Sequence, residues 1–255
     1  MDSNLLDMTY TTPLVLQYED LSFVAGFCLS GLGLESLKDK RNSFLHPKEQ
    51  VHFEALKYPK RQHSYLLGRY CAKQALNTHM NKKDPTNILI ENGVFQQPIV
   101  YSLTHMNQQV SISHTNTLGA ALAFHEAYPM AIDIESINKD KDDTISTQLS
   151  NNELNLAASL PNAPPLSLLW TIKEALSKVL KCGLTIPFEL LEIEALTQQG
   201  ACIISHFTNF PQYQAISFFL SEATCSIVYP KKATLNMDIL SIQEKVFNFT
   251  RLTMP

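Results

Sequence analysis

The sequence is short of several features that mark common classes of protein. Among 255 residues there are only eight glycines, and no Gly-rich phosphate-binding loop occurs. The five cysteines are scattered, with none at metal-ligand spacing, so we expect reduced thiols in a cytoplasm. No apolar run reaches the length that crosses a bilayer, and the residues after Met1 lack the basic-then-apolar pattern of a signal peptide. These absences favour a soluble cytoplasmic protein over a secreted or membrane-spanning one.

The charge balance argues against a general nucleic-acid binder, because the net charge at pH 7 is −4. One segment departs from this balance, since residues 57–73 contain five lysines and arginines and no acid. The segment predicts a cationic patch for a small polyanion, although plain solubilising charge explains it equally well. Arg69 and Lys73 lie four residues apart on one helix face, so they repel each other unless an anion lies against them.

The order of apolar runs and turn residues predicts an α+β fold in two pseudo-symmetric lobes, each a small antiparallel sheet packed on helices. We place the lobes at residues 1–128 and 129–255. No residue-level repeat is visible between them. The polar segment 138–147 is predicted to be a mobile loop, and 237–249 an amphipathic helix without an assigned role. The other predicted helices span about 47–57, 61–80, 151–160 and 167–181, and strands are predicted within 14–30 and at 87–91, 98–101, 109–113, 118–124, 130–135, 190–196, 201–207, 214–220 and 224–229.

Three carboxylates carry the strongest chemical signal. Asp133 and Glu135 lie two residues apart on a predicted strand and so share one face, which we expect to be exposed. Glu174 lies on a helix, away from its apolar stripe. Acids that meet beside lysines suit Mg²⁺ and the polyphosphate that it neutralises. The alternatives are an ordinary polar strand face and a solvated helix face with a Glu174–Lys178 pair.

Two further patterns are weaker. Ser113 and His114 end an alternating stretch and could donate hydrogen bonds to a phosphate, although a structural histidine is the more common case. No acid partner in a triad-like context stands out, so we discount a serine hydrolase. Ser150 and Glu153 have the spacing of a helix capping box.

The order of these motifs resembles the 4′-phosphopantetheinyl transferase superfamily. The matching residues are Ser113-His114, Asp133-Ile134-Glu135, Trp170-Thr171-Ile172-Lys173-Glu174-Ala175 and Lys178. The length resembles the monomeric surfactin-type class, and Lys60-Arg61-Gln62 with Tyr65-Leu66-Leu67-Gly68-Arg69 is similar to the enterobactin-synthase-associated members. The chain departs from the family where Gln96-Gln97-Pro98 replaces Gly-Lys-Pro and where Ala131 replaces a glycine.

The resemblance implies a monomer with coenzyme A in the cleft between the lobes. Asp133, Glu135 and Glu174 would hold Mg²⁺ against the pyrophosphate, whose charge Lys173 and Lys178 would neutralise. The other coenzyme contacts that the resemblance implies are Lys60, Arg61 and His114 for the 3′-phosphate, and Ser113, Gln97 and Pro98 near the adenosine.

The resemblance also implies a reaction, in which a serine of an apo carrier protein attacks the phosphorus that bears the pantetheine arm and 3′,5′-ADP leaves. Asp133, Glu174 and Lys178 would be the catalytic residues, with Glu174 the first candidate for general base and Glu153 the second. Fatty-acid, polyketide and siderophore carriers are all compatible with the sequence. Two alternatives stay open: a non-catalytic carrier-protein-binding module of the same fold, and a different Mg²⁺-dependent nucleotide enzyme, which the missing Gly-rich loop disfavours.

Overall fold

The computed structural model describes residues 8–81, 84–102, 107–162 and 164–253. It contains two five-stranded antiparallel sheets, each covered by a long helix, and a separate two-stranded hairpin. The predicted α+β fold with two sheet-rich lobes is therefore confirmed. None of the helices in the described residues combines the length and the apolar character needed to cross a membrane.

The first sheet has the strand order β12-β1-β2-β6-β5, and the hairpin β3-β4 lies apart from it. A long helix, α3, packs against this sheet. The elements of this part of the chain are β1 (Thr9–Tyr18), β2 (Leu21–Ser30), α1 (Leu34–Lys40), α2 (Pro47–Glu54), α3 (Pro59–His79), β3 (Leu89–Asn92), β4 (Pro98–Tyr101), β5 (Gln108–His114) and β6 (Gly119–His125).

The second sheet has the strand order β7-β11-β10-β9-β8 and is covered by the long helix α6. Its chain order, a strand, then helices, then antiparallel hairpins, repeats that of the first lobe. The elements are β7 (Ala131–Ser136), α4 (Asp142–Ser146), α5 (Asn151–Ser159), α6 (Leu166–Val179), β8 (Ile193–Gln199), β9 (Cys202–Phe207), β10 (Tyr213–Leu220), β11 (Ala223–Pro230), β12 (Thr234–Asn236) and α7 (Ile239–Thr253).

The local signals for α5 and α6 act as the sequence predicts. Ser150 accepts a hydrogen bond from the Glu153 backbone amide, and Glu153 accepts one from the Ser150 amide, which closes the capping box of α5. The apolar stripe of α6 is buried along its whole length, and it consists of Leu169, Ile172, Leu176 and Val179. The side chains of α6 that lie outside this buried stripe remain available for other roles.

Two segments differ from the prediction or extend it. Residues 138–147 are not an open loop, because the Asn138 side chain caps a 3₁₀ turn and α4 follows with Ile145 buried. The predicted tail helix is present as α7, and its Ile242 and Val246 are buried in a core that joins residues of both sheets. After the second sheet, β12 returns to pair with β1 of the first sheet.

Strand β2 and helix α3 touch at a glycine. A Cβ atom on Gly26 would lie 2.0 Å from the Ala75 carbonyl oxygen and 2.8 Å from the His79 backbone nitrogen. Neither backbone atom can move away without shifting the helix. Only glycine therefore allows this close approach of helix and sheet.

We predict that Gly26→Ala lowers the free energy of unfolding by about 1–3 kcal/mol, because the added methyl group overpacks the interface of β2 and α3. The measurement is urea denaturation followed by circular dichroism. Gly33→Ala is the matched control, since a Cβ there meets nothing within 4 Å. Equal stability of the two variants would contradict the proposed close contact.

Candidate active site

The seam between the two sheets is joined by serine hydroxyl groups. Strand β5 is an edge of the first sheet and β7 an edge of the second. The Ser111 hydroxyl accepts a hydrogen bond from the Ile132 amide at 3.0 Å. Two residues on, the Ser113 hydroxyl accepts one from the Ile134 amide at 3.2 Å and donates to Asp133 Oδ1 at 2.7 Å. The seam therefore fixes the position of the Asp133 carboxylate.

Lys178 of α6 crosses this seam with its ammonium group. Its Nζ donates to Asp133 Oδ1 at 2.7 Å, to the Ile112 carbonyl at 3.1 Å and to the Ile132 carbonyl at 3.3 Å. Asp133 is only 5% exposed as a result. The expectation that Asp133 lies on an exposed strand face is therefore wrong, because Ser113 and Lys178 cover it.

Glu174 lies one turn before Lys178 and is half-buried. The pKa of its carboxyl group is raised to about 7, mainly by burial and next by the negative charge of Asp133, while the charge of Lys178 lowers it and that of Glu135 adds a smaller increase. Helix α6 and strand β7 thus bring all three predicted acids within electrostatic reach of one another.

The acids are balanced by lysines rather than arranged as a ready-made metal shell. Lys178 pairs with Asp133, and the Lys141 ammonium pairs with Glu135. In the described part of the chain, no group of three or more His, Cys, Asp or Glu side chains is placed so that it could hold a metal ion. Any cation at this place would have to compete with two ammonium groups.

Three adjoining cavities form one groove along the seam, and we name them the acid, middle and basic cavities. The acid cavity has a volume of 240 Å³ and is lined by Glu174, Lys178, Gln97 and Pro98. The middle cavity (590 Å³) shares Pro98 with it and continues to His114.

The basic cavity completes the groove. It has a volume of 590 Å³, and it shares Arg61 and His114 with the middle cavity. Lys60, Glu135 and Lys141 also line it. Ser113 and Asp133 are buried and line none of the three cavities. The structure thus gathers eight of the predicted site residues around one groove: Lys60, Arg61, Gln97, Pro98, His114, Glu135, Glu174 and Lys178.

Lys173 is not brought to the groove. It precedes Glu174 directly, so it points about 100° away around the helix, and its side chain is 0% exposed. Its ammonium group donates to both carboxylate oxygens of Glu153 at 2.9 and 3.0 Å and to the Gln148 carbonyl at 3.3 Å. Glu153 is buried beside it, so both residues lie in the interior and away from the groove.

Two groove residues have specific surroundings. Burial lowers the pKa of His114, and the charge of Lys178 lowers it further. The Gln97 side chain, which stands where the family has a lysine, accepts a hydrogen bond from the Phe95 amide at 2.9 Å. A Cβ on Gly93 would lie only 2.4 Å from the Gln97 amide nitrogen. Gln97 therefore packs over the β3-β4 turn as well as lining the acid cavity.

The predicted cationic patch divides into two parts. Lys73 and Arg69 lie 2.9 and 3.6 Å from the carboxylate of Glu49, so the anion that relieves their repulsion belongs to the protein itself. Lys60 and Arg61, at the start of α3, remain exposed at the groove. Sequence reasoning missed Glu49, because its capping box is closed by His46, an uncommon residue at a helix N-terminus.

Comparisons with known proteins agree with the predicted resemblance. Residues 129–228 match the family model described as the 4′-phosphopantetheinyl transferase superfamily. This segment contains Asp133, Glu135, Glu174 and Lys178, and the match confirms the predicted resemblance to that superfamily. No curated protein matches the chain significantly.

Several solved structures are similar over about half of the chain. A holo-(acyl-carrier-protein) synthase from Bacillus anthracis in complex with coenzyme A (3′,5′-ADP) is 17% identical over 45% of this chain and 96% of that one, with a TM-score of 0.34. The holo-ACP synthase of Plasmodium yoelii is 18% identical over 46% and 95%, with a TM-score of 0.33. The holo-[acyl-carrier-protein] synthase of Thermotoga maritima is 18% identical over 51% and 72%, with a TM-score of 0.32.

We predict that Ser113→Ala lowers the free energy of unfolding by about 1–3 kcal/mol, because it leaves the buried Ile134 amide without an acceptor and removes a donor from Asp133. Urea denaturation measures the change. Ser159→Ala is the control, since that exposed hydroxyl group donates only to the Leu156 carbonyl. A Ser113 variant as stable as this control would show that the hydroxyl group does not hold the seam.

Proposed function

We propose that this protein transfers the phosphopantetheine arm of coenzyme A to a serine of an apo carrier protein and releases 3′,5′-ADP. The observation that carries the proposal is the groove itself, which joins Glu174 and Lys178 in the acid cavity to the cations Lys60 and Arg61 in the basic cavity. The superfamily match over residues 129–228 supports it.

The charge pattern of the groove suits a ligand that carries phosphate groups at two places on one nucleotide. Lys60, Arg61 and His114 lie together in the basic cavity, where they would contact the 3′-phosphate. Lys178 lies in the acid cavity, where it would face the pyrophosphate. Gln97 lines the acid cavity and Pro98 lines both the acid and the middle cavity, where they would contact the adenosine. Coenzyme A is a small polyanion with this distribution of charge.

The three carboxylates near Lys178 have donor atoms that fit Mg²⁺. Asp133, Glu135 and Glu174 offer the hard oxygen ligands that this ion prefers, and a cation would relieve their mutual repulsion, which adds to burial in raising the pKa of Glu174. These three carboxylates would hold the ion, and Lys141 and Lys178 would give up their present partners. When bound, Mg²⁺ would neutralise charge on the pyrophosphate.

The residues of the groove would then promote the transfer mainly by position and charge. The serine oxygen of the carrier protein forms a bond to the phosphorus that bears the pantetheine arm, and the bond from that phosphorus to the bridging oxygen breaks, so that 3′,5′-ADP leaves. Lys178 would stabilise the negative charge of the leaving group. Glu174, half-buried at the acid cavity, is the candidate that accepts the serine proton.

Both lobes of one chain line the groove, so we propose a monomeric enzyme. The motifs Lys60-Arg61-Gln62 and Tyr65-Leu66-Leu67-Gly68-Arg69 in the first half of α3, together with the length, favour the surfactin-type class and its enterobactin-synthase-associated members. A cytoplasmic location belongs to the same proposal, and the candidate carriers are of three kinds: those of fatty-acid, polyketide and siderophore or nonribosomal peptide synthesis.

The first prediction from this function is a change in the mass of a carrier protein. Incubation of the chain with coenzyme A, Mg²⁺ and apo carrier proteins of the three kinds should increase the intact mass of at least one carrier by one phosphopantetheine arm. A carrier whose acceptor serine is replaced by alanine is the control, and EDTA should stop the reaction. If coenzyme A binds and no carrier gains mass, the protein is a non-catalytic binding module.

The second prediction concerns the acids. Asp133→Asn and Glu174→Gln should each lower kcat by about 10²-fold or more, because each removes a charge at the reacting phosphate groups. The isosteric amides are chosen because Asp133→Ala would also leave Lys178 without its partner. Glu194→Gln, at an exposed position of β8, is the matched control. Wild-type turnover in a folded Asp133 or Glu174 variant would refute these roles.

A further inference from the structure

Each lobe buries one ion pair between a short helix and the long helix that follows it. Glu49 of α2 lies 2.9 Å from Lys73 of α3, and Glu153 of α5 lies 2.9 Å from Lys173 of α6. In both pairs the lysine side chain is 0% exposed and the glutamate side chain 1% exposed. Charged side chains are almost never buried this completely unless they are paired.

The two glutamates make the same set of hydrogen bonds. Glu49 accepts one from the His46 amide at 2.9 Å, which caps α2, and one from the Ile90 amide of β3 at 2.9 Å. Glu153 accepts one from the Ser150 amide at 2.8 Å, which caps α5, and one from the Ile193 amide of β8 at 3.0 Å. Each carboxylate therefore ties a short helix, a long helix and the first strand of the next hairpin together.

The two lysines also belong to a short sequence repeat, whose copies are 100 residues apart. Lys73-Gln74-Ala75-Leu76 of α3 corresponds to Lys173-Glu174-Ala175-Leu176 of α6. The expectation that the halves share no residue-level repeat is therefore wrong. Within this repeat, the residue after the lysine is an amide in the first lobe and the groove-lining acid in the second. The common residues belong to the scaffold, and the position that differs belongs to the site.

The hydrogen-bonding groups of the Glu153–Lys173 pair are already occupied within the protein. Three hydrogen bonds occupy the three donors of the Lys173 ammonium, two to Glu153 and one to the Gln148 carbonyl. Both oxygens of Glu153 accept from Lys173, and each also accepts from a backbone amide. Neither side chain reaches the groove or solvent.

We propose that Glu153 and Lys173 are positioning residues that orient α6 so that Glu174 and Lys178 reach the groove, and that they neither bind phosphate nor accept the serine proton. Glu49 and Lys73 hold α3, which carries Arg61 on the opposite wall, in the same way. The catalytic part of this inference rests on the proposed function; the duplicated scaffold does not.

Two double-mutant cycles test the inference. The first combines Lys173→Met and Glu153→Gln, and the second combines Lys73→Met and Glu49→Gln as its counterpart in the other lobe. Each single variant leaves a buried group without its partner and should lower Tm by roughly 6–15 °C. The first double variant should recover at least half of the loss that its two single variants sum to, since it contains no uncompensated charge. The second should recover less, because Glu49→Gln also removes the carboxylate that lies 3.6 Å from Arg69.

Activity separates positioning from direct catalysis. In the first cycle, we expect kcat to fall and recover together with Tm, while the KM for coenzyme A stays within about threefold and the pH profile of kcat keeps its shape. A double variant that is restored in Tm but has a kcat lowered about 10²-fold or more would assign a chemical role to one of the two residues and overturn the proposal.

The stability measurements need no turnover. Additive changes in Tm would show that the pair is not coupled and would overturn the inference, even in an active enzyme. If the wild-type chain transfers nothing to any carrier, the proposed function fails, and non-additive Tm values would still support the duplicated scaffold.

Discussion

The Asp133 carboxylate, held between Ser113 and Lys178, is the interaction on which the site depends. Ser113 belongs to one sheet, and Asp133 with Lys178 to the other lobe, so this contact fixes the lobes relative to each other and places the acids at the same time. The seam has no regular backbone ladder, and hydroxyl groups supply the hydrogen bonds that a strand partner would supply elsewhere. Because buried polar groups are costly when unpaired, the seam tolerates little displacement. The shape of the groove above the seam is therefore set by the way in which the two sheets meet.

Around this seam, the two lobes use one scaffold for different purposes. In each, a long helix covers a sheet, and a buried glutamate–lysine pair locks the start of the next hairpin. The lobes differ in what they present to the groove: the start of α3 presents Lys60 and Arg61, whereas α6 presents Glu174 and Lys178. Under the proposed function, the cations of α3 would contact the 3′-phosphate of coenzyme A, and Lys178 of α6 would contact its pyrophosphate. The asymmetry of the ligand is matched by side chains, not by a change of fold.

The sequence predicted those parts of the site that follow from local rules. Alternation along a strand placed Asp133 and Glu135 on one face, and the buried stripe of α6 left Glu174 free. The Ser150–Glu153 capping box was found for the same reason. Contacts between distant segments were not predictable. Examples are the covering of Asp133 by Ser113 and the pairing of Glu49 with Arg69 and Lys73. Lys173 shows the limit most clearly, because the motif makes it adjacent to Glu174 while the turn of about 100° per residue points its side chain into the interior instead of the groove.

The lysine counter-ions explain how such an acidic cluster can exist in a folded chain without any ligand. Three carboxylates against two ammonium groups leave one net negative charge, and part of that excess is taken up by Glu174, whose pKa is raised to about 7. Entry of a divalent cation would reverse the sign of this excess, and the pyrophosphate of coenzyme A would then find a positive site. Lys178 and Lys141 could turn from the carboxylates to the phosphate oxygens. Under the proposed function, binding is therefore an exchange of ion-pair partners at fixed positions. Such an exchange needs little reorganisation of the protein, and the lysines keep the acidic cluster stable before the ligand arrives.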